Sequence, residues 1–242
     1  MPSSAPAPSA VPPPPTSPSA PRQRRKQARP GELLEAALEL FAEKGFAATR
    51  TEEVAGRAGV SKGTLYLYYP SKEELFKAVV RQNLTSLIAA GEELVLGFQG
   101  STSELLRVLL TTWWERVGNT AAAGIHKVVF AEARNFPGLA AFYSDEVIGP
   151  ADRLFCATLR RGVQRGEFRA VPEHEVAHAL MAPLIFMTLC RQSFGAGQRG
   201  AHAIDPQALI ATHLDLVLHG LLARPAVRTL AEKRKKNVEQ RA

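Results

Sequence analysis

Cysteine is scarce in this chain of 242 residues: Cys156 and Cys190 are the only two, far apart and outside any CxxC pair. That excludes a zinc ribbon, a thioredoxin-like dithiol and a secreted disulfide framework, and it fits a reducing, cytoplasmic setting. Long apolar runs are missing as well. The most nearly continuous one, Leu180–Cys190 between His178 and Arg191, falls short of the roughly 18 residues that a membrane span needs and reads as a buried helix. Met1–Pro21 carries neither charge nor an apolar stretch, so no secretory leader is expected. Asn-Gly and Asp-Gly pairs do not occur, nor does sustained alternation of polar and apolar residues, which leaves β-hairpins without support. No Gly-Lys dipeptide occurs either, so a phosphate-binding P-loop is excluded.

What is present is a 45% hydrophobic, 22% charged composition, enough for a sizeable core. The net charge of +7 sits at the ends. Arg22, Arg24, Arg25, Lys26 and Arg29 give +5 ahead of Pro30, and seven Lys or Arg against Glu232 and Glu239 give +5 after Ala223, leaving −3 between them. A protein that coats DNA without reading it is therefore disfavoured, and phosphate binding must come from a local site plus the two ends. Nine of the seventeen prolines lie in residues 1–21. Residues 1–28 are expected to be a disordered arm ending in a basic cluster, and residues 224–242 a disordered basic tail.

Between these ends the apolar residues recur at helical spacing. Leu34, Ala37, Leu38 and Phe41 form one stripe, with Pro30 suited to a first turn and Gly45 to a helix stop. A second helix starts at Thr51, with Glu52 and Glu53 in its favourable first turn, and a third is capped by Ser61. Ser71-Lys72-Glu73-Glu74 is a capping box that opens a fourth helix to about Leu96. Further helices are expected over about 102–117, 121–135, 138–147, 150–165, 172–194 and 206–223, each junction marked by Gly or Pro. The fold class is all-α: a small N-terminal helix-turn-helix domain over 29–89 and a larger C-terminal helical domain over 90–223.

Three helices in about forty residues, the last two joined by Ala58-Gly59-Val60-Ser61, form a helix-turn-helix. Gly59 suits the left-handed turn, Val60 plugs between the helices, and Leu65 anchors the third helix inward. The run Ala36–Gly45 with Phe46, then Thr51-Glu52-Glu53-Val54-Ala55, Gly59-Val60-Ser61-Lys62-Gly63-Thr64-Leu65-Tyr66 and Tyr69-Pro70-Ser71-Lys72-Glu73-Glu74-Leu75 resembles the TetR/AcrR family of one-component transcriptional regulators. The resemblance spans about 29–89. It implies phosphate contacts from Thr51, Thr64, Tyr68 and Lys72, and base-edge contacts from Lys62, Gly63 and Tyr66. Arg50 and Glu52 are possible further readers, and Ser61 and Tyr69 belong to the same face. The side chains suit these roles: Lys62 can donate to guanine and Tyr66 can cover a thymine methyl.

Three other motifs imitate catalysts. His174-Glu175-Val176-Ala177-His178 is an HExxH on an expected helix, so a zinc-dependent hydrolase is the alternative function. It lacks a third ligand downstream at metalloprotease spacing, and no metal site or cofactor is assigned. Gly59–Gly63 spells GxSxG without a preceding strand, and Gly195–Gly200 spells GxGxxG without a following βαβ unit. Trp113, Trp114, Phe130, Phe136, Phe142, Tyr143, Met181, Phe186 and Met187 are candidates to line a cavity for a small apolar or aromatic effector. The last two helices are apolar on more than one face, and the resemblance implies a homodimer through them. The expected function is thus a repressor, not an enzyme, released from a palindromic double-stranded DNA operator by its effector, with no membrane partner.

Overall fold

A first helix, α1 (Arg22–Ala48), packs its Leu33, Leu34, Ala37, Leu40 and Phe41 face inward. This is a computed structural model that describes residues 22–194 and 205–223, with side chains from Pro30 onward. The Pro-rich arm over 1–21, the Gly195–Gly200 motif and the basic tail over 224–242 lie outside the described residues. Residues 22–28, expected to be disordered, are instead helical, and Pro30 lies inside α1 rather than in its first turn. The Gln, Arg, Lys and Ala residues ahead of Pro30 are strong helix formers, which favours the extension.

After the kink at Gly45 come α2 (Thr51–Arg57) and α3 (Lys62–Tyr68). Gly59 turns between them at φ 66°, a left-handed value that costs glycine little. Ser61 caps α3 by accepting from Thr64 N at 3.1 Å. Thr51 begins α2 but is not its cap. Arg50 holds that position, and the Glu53 carboxylate accepts from its backbone N–H at 3.4 Å.

The expected fourth helix is present as α4 (Lys72–Val80), a π turn over Arg81–Thr85 and α5 (Ser86–Gly97), end to end. Next come α6 (Thr102–Trp113) with a π turn over Trp114–Gly118, then α7 (Ala123–Glu132). The break expected between 147 and 150 is absent: α8 (Pro137–Tyr143), a π turn over Ser144–Ile148 and α9 (Gly149–Gln164) run on without interruption. Gly149 N–H already donates five residues back to Ser144 O, so the ladder has left α register where Pro150 lacks its donor. Helices α10 (Glu173–Phe194) and α11 (Pro206–Leu221) close the fold. No strand occurs among the described residues, only an isolated bridge between Phe168 and Leu222.

Two cores result. One runs from the helix-turn-helix into α7 and α8 and includes Phe41, Phe46, Leu65, Phe76, Ile125 and Phe142. The other joins α6 to α9, α10 and α11 around Trp114, Phe155, Leu180 and Leu214. The first core therefore crosses the 89/90 boundary drawn from the sequence, because α1 lies directly on α7. At that crossing the Glu132 carboxylate accepts from Ala47 N at 3.2 Å, and Phe46 meets Phe136 edge-on at 4.9 Å.

Arg161 of α9 ties the α5–α6 loop to the second core. It donates to Thr102 Oγ1 at 2.7 Å and to the carbonyls of Phe98 and Gly100 at 2.9 Å each. Arg161→Met would leave those partly buried acceptors unpaired and is expected to cost about 1–3 kcal/mol in urea unfolding. An unchanged midpoint would show that water replaces the guanidinium.

Candidate functional site

The helix-turn-helix presents one outward face in which α2 and α3 are cross-linked by polar side chains. Lys62 at the start of α3 pairs with Glu52 of α2, and its ammonium also lies 5.7 Å from the centre of the Tyr66 ring. The hydrogen bond to Lys62 holds the Glu52 carboxyl below its usual range, and Glu52 raises Lys62 in turn. Thr51 and Tyr66 share a hydroxyl hydrogen bond of 3.0 Å. Thr64 shares one of 2.9 Å with Ser61. Arg50, Gly63 and Tyr68 are exposed at the edges of this face, and Tyr69 is half-buried against the first core. Burial raises the Tyr69 phenol above its usual range.

Lys72, for which the resemblance implies a phosphate contact, reaches back to the end of α1. Its ammonium donates to the carbonyls of Phe46, Ala47 and Thr49 at 2.8, 3.1 and 3.1 Å and covers the Phe46 ring at 4.6 Å. It closes the end of α1, whose last carbonyls have no helical partner. All three of its N–H donors are thereby engaged.

Behind the head, α5, α6, α7, α9 and α10 enclose a cavity of about 690 Å³. All three π turns abut it: Leu84 comes from the first, Trp113 directly precedes the second, and Val147 and Ile148 come from the third. Such turns widen a helix and recur at functional sites. Of the nine candidates, Trp113, Phe130, Tyr143, Met181 and Phe186 line this space. The other four do not. Trp114 and Met187 point into the second core, while Phe136 and Phe142 belong to the first. Residues that the sequence analysis passed over, among them Leu84, Ile88, Gly91 and Phe155, complete the wall because they converge only in the folded chain.

The polar groups on the wall are few. His126 is buried between Trp113 and Tyr143, with ring centres 5.6 and 6.2 Å away, and its Nδ1 has no hydrogen-bond partner. Burial lowers it from 6.5 to about 4, and burial raises the neighbouring Tyr143 phenol. Asp152 and His178 stand at another edge of the cavity. There Asp152 Oδ2 accepts from His174 Nδ1 at 2.7 Å. Burial, then Asp152 and Glu173, push the adjacent Cys156 thiol up to about 11.

Comparison with known proteins agrees with this layout. Residues 33–79 match the family model of bacterial regulatory proteins of the tetR family, and residues 99–206 match that of the tetracyclin repressor-like C-terminal domain. The HTH-type transcriptional repressor KstR2 of Rhodococcus jostii (strain RHA1) is 27% identical over 208 residues, which cover 85% of this chain and 97% of that protein. KstR2 of Mycobacterium tuberculosis (strain ATCC 25618 / H37Rv) is 30% identical over 142 residues, 58% of this chain and 70% of that one. The crystal structure of FadR from Bacillus subtilis in complex with stearoyl-CoA shares the fold, with a TM-score of 0.62 at 18% identity over 78% of this chain and 98% of that one. None of the described helices is long and apolar enough to cross a membrane. With both family models matched in order and repressors aligned over most of their length, the chain belongs to the TetR family of DNA-binding transcriptional regulators, which are not enzymes.

Proposed function

We propose that this regulator is a homodimeric cytoplasmic repressor that reads a palindromic operator with α3 and leaves it when an apolar effector fills the cavity behind the head. The observation that carries this reading is the single core shared by the helix-turn-helix, α7 and α8. The π turn over Arg81–Thr85 joins the helix that enters the head to the helix that walls the cavity. Arg81 adds a clamp, with two hydrogen bonds of 2.7 and 2.5 Å to Glu146 of the third π turn. An effector that prefers one arrangement of these walls shifts the population of head positions.

On the reading face, Lys62, Gly63 and Tyr66 take the base edges, with Leu67, 84% exposed, beside them as an apolar group suited to a thymine methyl. The Glu52–Lys62 pair holds Lys62 in place and must yield part of its ammonium to DNA. Thr51, Thr64, Tyr68 and Arg50 serve the phosphates. The volume lies inside the range of small-molecule sites, roughly 300–1,000 Å³. The stearoyl-CoA of the FadR complex makes a long acyl chain one candidate class, with His126 Nδ1 and the Tyr143 phenol as buried polar groups on the wall.

For the dimer, α10 exposes Ala179, Ala182 and Phe186 along one stripe and α11 exposes the apolar Ala208, Ala211 and Leu216, surfaces suited to a two-fold four-helix contact. Phe186 and Ala182 also rim the cavity, so a partner would close its mouth. Two reading helices about 34–36 Å apart would then meet successive turns of one DNA face.

The test is recovery of fragmented genomic DNA by the purified protein at about 150 mM salt, beside Lys62→Ala and Tyr66→Ala. One shared palindromic motif is expected, with affinity for it lowered roughly tenfold or more in each variant. Equal recovery of unrelated fragments by all three proteins would overturn the reading.

A further inference from the structure

At the edge of the cavity, one cluster of side chains is unaccounted for by DNA reading. Helix α9 places Asp152 and Cys156 one turn apart, α10 places His174 and His178 one turn apart, and the two helices pack side by side. Asp152, Cys156 and His174 bring their ligand atoms within 4.8 Å of one another. Cys156 Sγ lies 3.5 Å from His174 Nδ1 and 3.8 Å from Asp152 Oδ1. His178 Nδ1 stands 3.6 Å from the same Asp152 oxygen.

A nucleophile relay does not fit this arrangement. A Cys-His-Asp relay needs the thiol on one ring nitrogen and the carboxylate on the other. Here both face His174 Nδ1. Convergence of sulfur, nitrogen and oxygen on one point is instead the geometry of a shared cation. Around a tetrahedral zinc ion with bonds of about 2.3 Å to sulfur and about 2.0–2.1 Å to nitrogen or oxygen, ligand atoms stand about 3.3–3.5 Å apart. The Sγ–Nδ1 separation already has that value. The Nδ1–Oδ2 separation of 2.7 Å is a hydrogen bond that would open by about 0.6 Å.

The geometry points to a zinc-class divalent cation site formed by Asp152, Cys156 and His174, with His178, whose Nδ1 now bonds the His174 carbonyl at 2.8 Å and stands 3.6 Å from Asp152, as the fourth ligand once its ring turns toward the ion. Mixed sulfur, imidazole and carboxylate ligands suit zinc and its borderline neighbours rather than calcium or magnesium. On binding, the ion takes the place of the proton between His174 Nδ1 and Asp152, the ring staying neutral with its proton on Nε2, and the Cys156 thiol releases its proton to solvent. Thiolate and carboxylate together then balance the two positive charges. With His178 turned in as the fourth ligand the tetrahedron is closed and no position is left for a reactive water, so the site holds structure or relays a signal and does no hydrolysis. This also accounts for the HExxH spacing: its two histidines face partners on α9 in place of a third ligand downstream. Because Asp152 and His178 are also cavity wall, loading the site changes the charge that an effector meets there.

Cobalt(II) chloride titrated into the full-length protein is the probe, with zinc chloride as competitor. One equivalent per chain is expected, with tetrahedral visible bands and a thiolate-to-cobalt charge-transfer band, both erased by zinc. Cys156→Ser should abolish the charge-transfer band. His174→Ala, at a side chain 72% exposed and therefore neutral for folding, should weaken binding at least tenfold. Cys190→Ser should change neither. Absence of the band, its persistence in Cys156→Ser, or its loss in Cys190→Ser would each overturn the site without touching operator recognition.

Discussion

Gly124→Ala is expected to destabilise the protein by about 1–3 kcal/mol, although the same exchange inside an unconstrained helix gains up to about 1 kcal/mol. The reason is the crossing of α1 and α7. A Cβ on Gly124 would stand 2.5 Å from Ala42 Cβ and 2.9 Å from Ala42 Cα, and the second atom is backbone that no rotamer change can move. The two helices must part, and with them the Glu132 bond to Ala47 and the Phe46–Phe136 contact. Chemical unfolding checks the sign. Pairing the change with Ala42→Gly removes the closer clash and should recover part of the loss, a coupling readable in a double-mutant cycle. A stabilised Gly124→Ala protein would mean that head and effector domain are loosely joined, which would undercut the proposed route from cavity to DNA.

Acidification is expected to remove about 2–3 kcal/mol of stability between pH 7 and pH 4.5 through His126 alone. In the unfolded chain its imidazole takes a proton near 6.5, whereas in the fold burial lowers it to about 4. Below 6.5 the unfolded state therefore binds more protons than the native state. The contribution of His126 is intact above 6.5, falls as pH drops through the window, and levels off below about 4. No carboxylate offsets this, since the ring is flanked by Trp113 and Tyr143 and its Nδ1 lacks a partner. Urea unfolding at the two pH values, beside His126→Leu, isolates the effect. Equal pH slopes in the two proteins would show that the histidine is protonated inside the fold.

Much of the DNA-reading head is legible without coordinates because its determinants are local. Gly59 turns where a positive φ is needed, Ser61 and Ser71 cap the helices that follow them, and Leu65 faces inward within one turn of its neighbours. The effector domain is less legible. Trp113 and Trp114 are adjacent aromatic residues, yet one lines the cavity and the other is 2% exposed in the second core. One residue turns a helix by about 100°, and nothing in the local pattern says which of two cores a given face will meet.

Lys72 shows the same limit. Its place at the start of α4 is plain from the sequence, but its three carbonyl partners, Phe46, Ala47 and Thr49, lie at and just past the end of α1, more than twenty residues earlier. The sequence by itself determined the all-helical class, the helix-turn-helix and the order of its capping residues, since each depends on backbone conformation and hydrogen bonds within a few positions. Only the tertiary structure decided that α1 lies on α7, that α8 continues into α9 past Pro150, and that Asp152 and Cys156 face His174 and His178. Those arrangements depend on how apolar faces of separate helices close against one another, a competition among long-range packings in which local spacing has no vote.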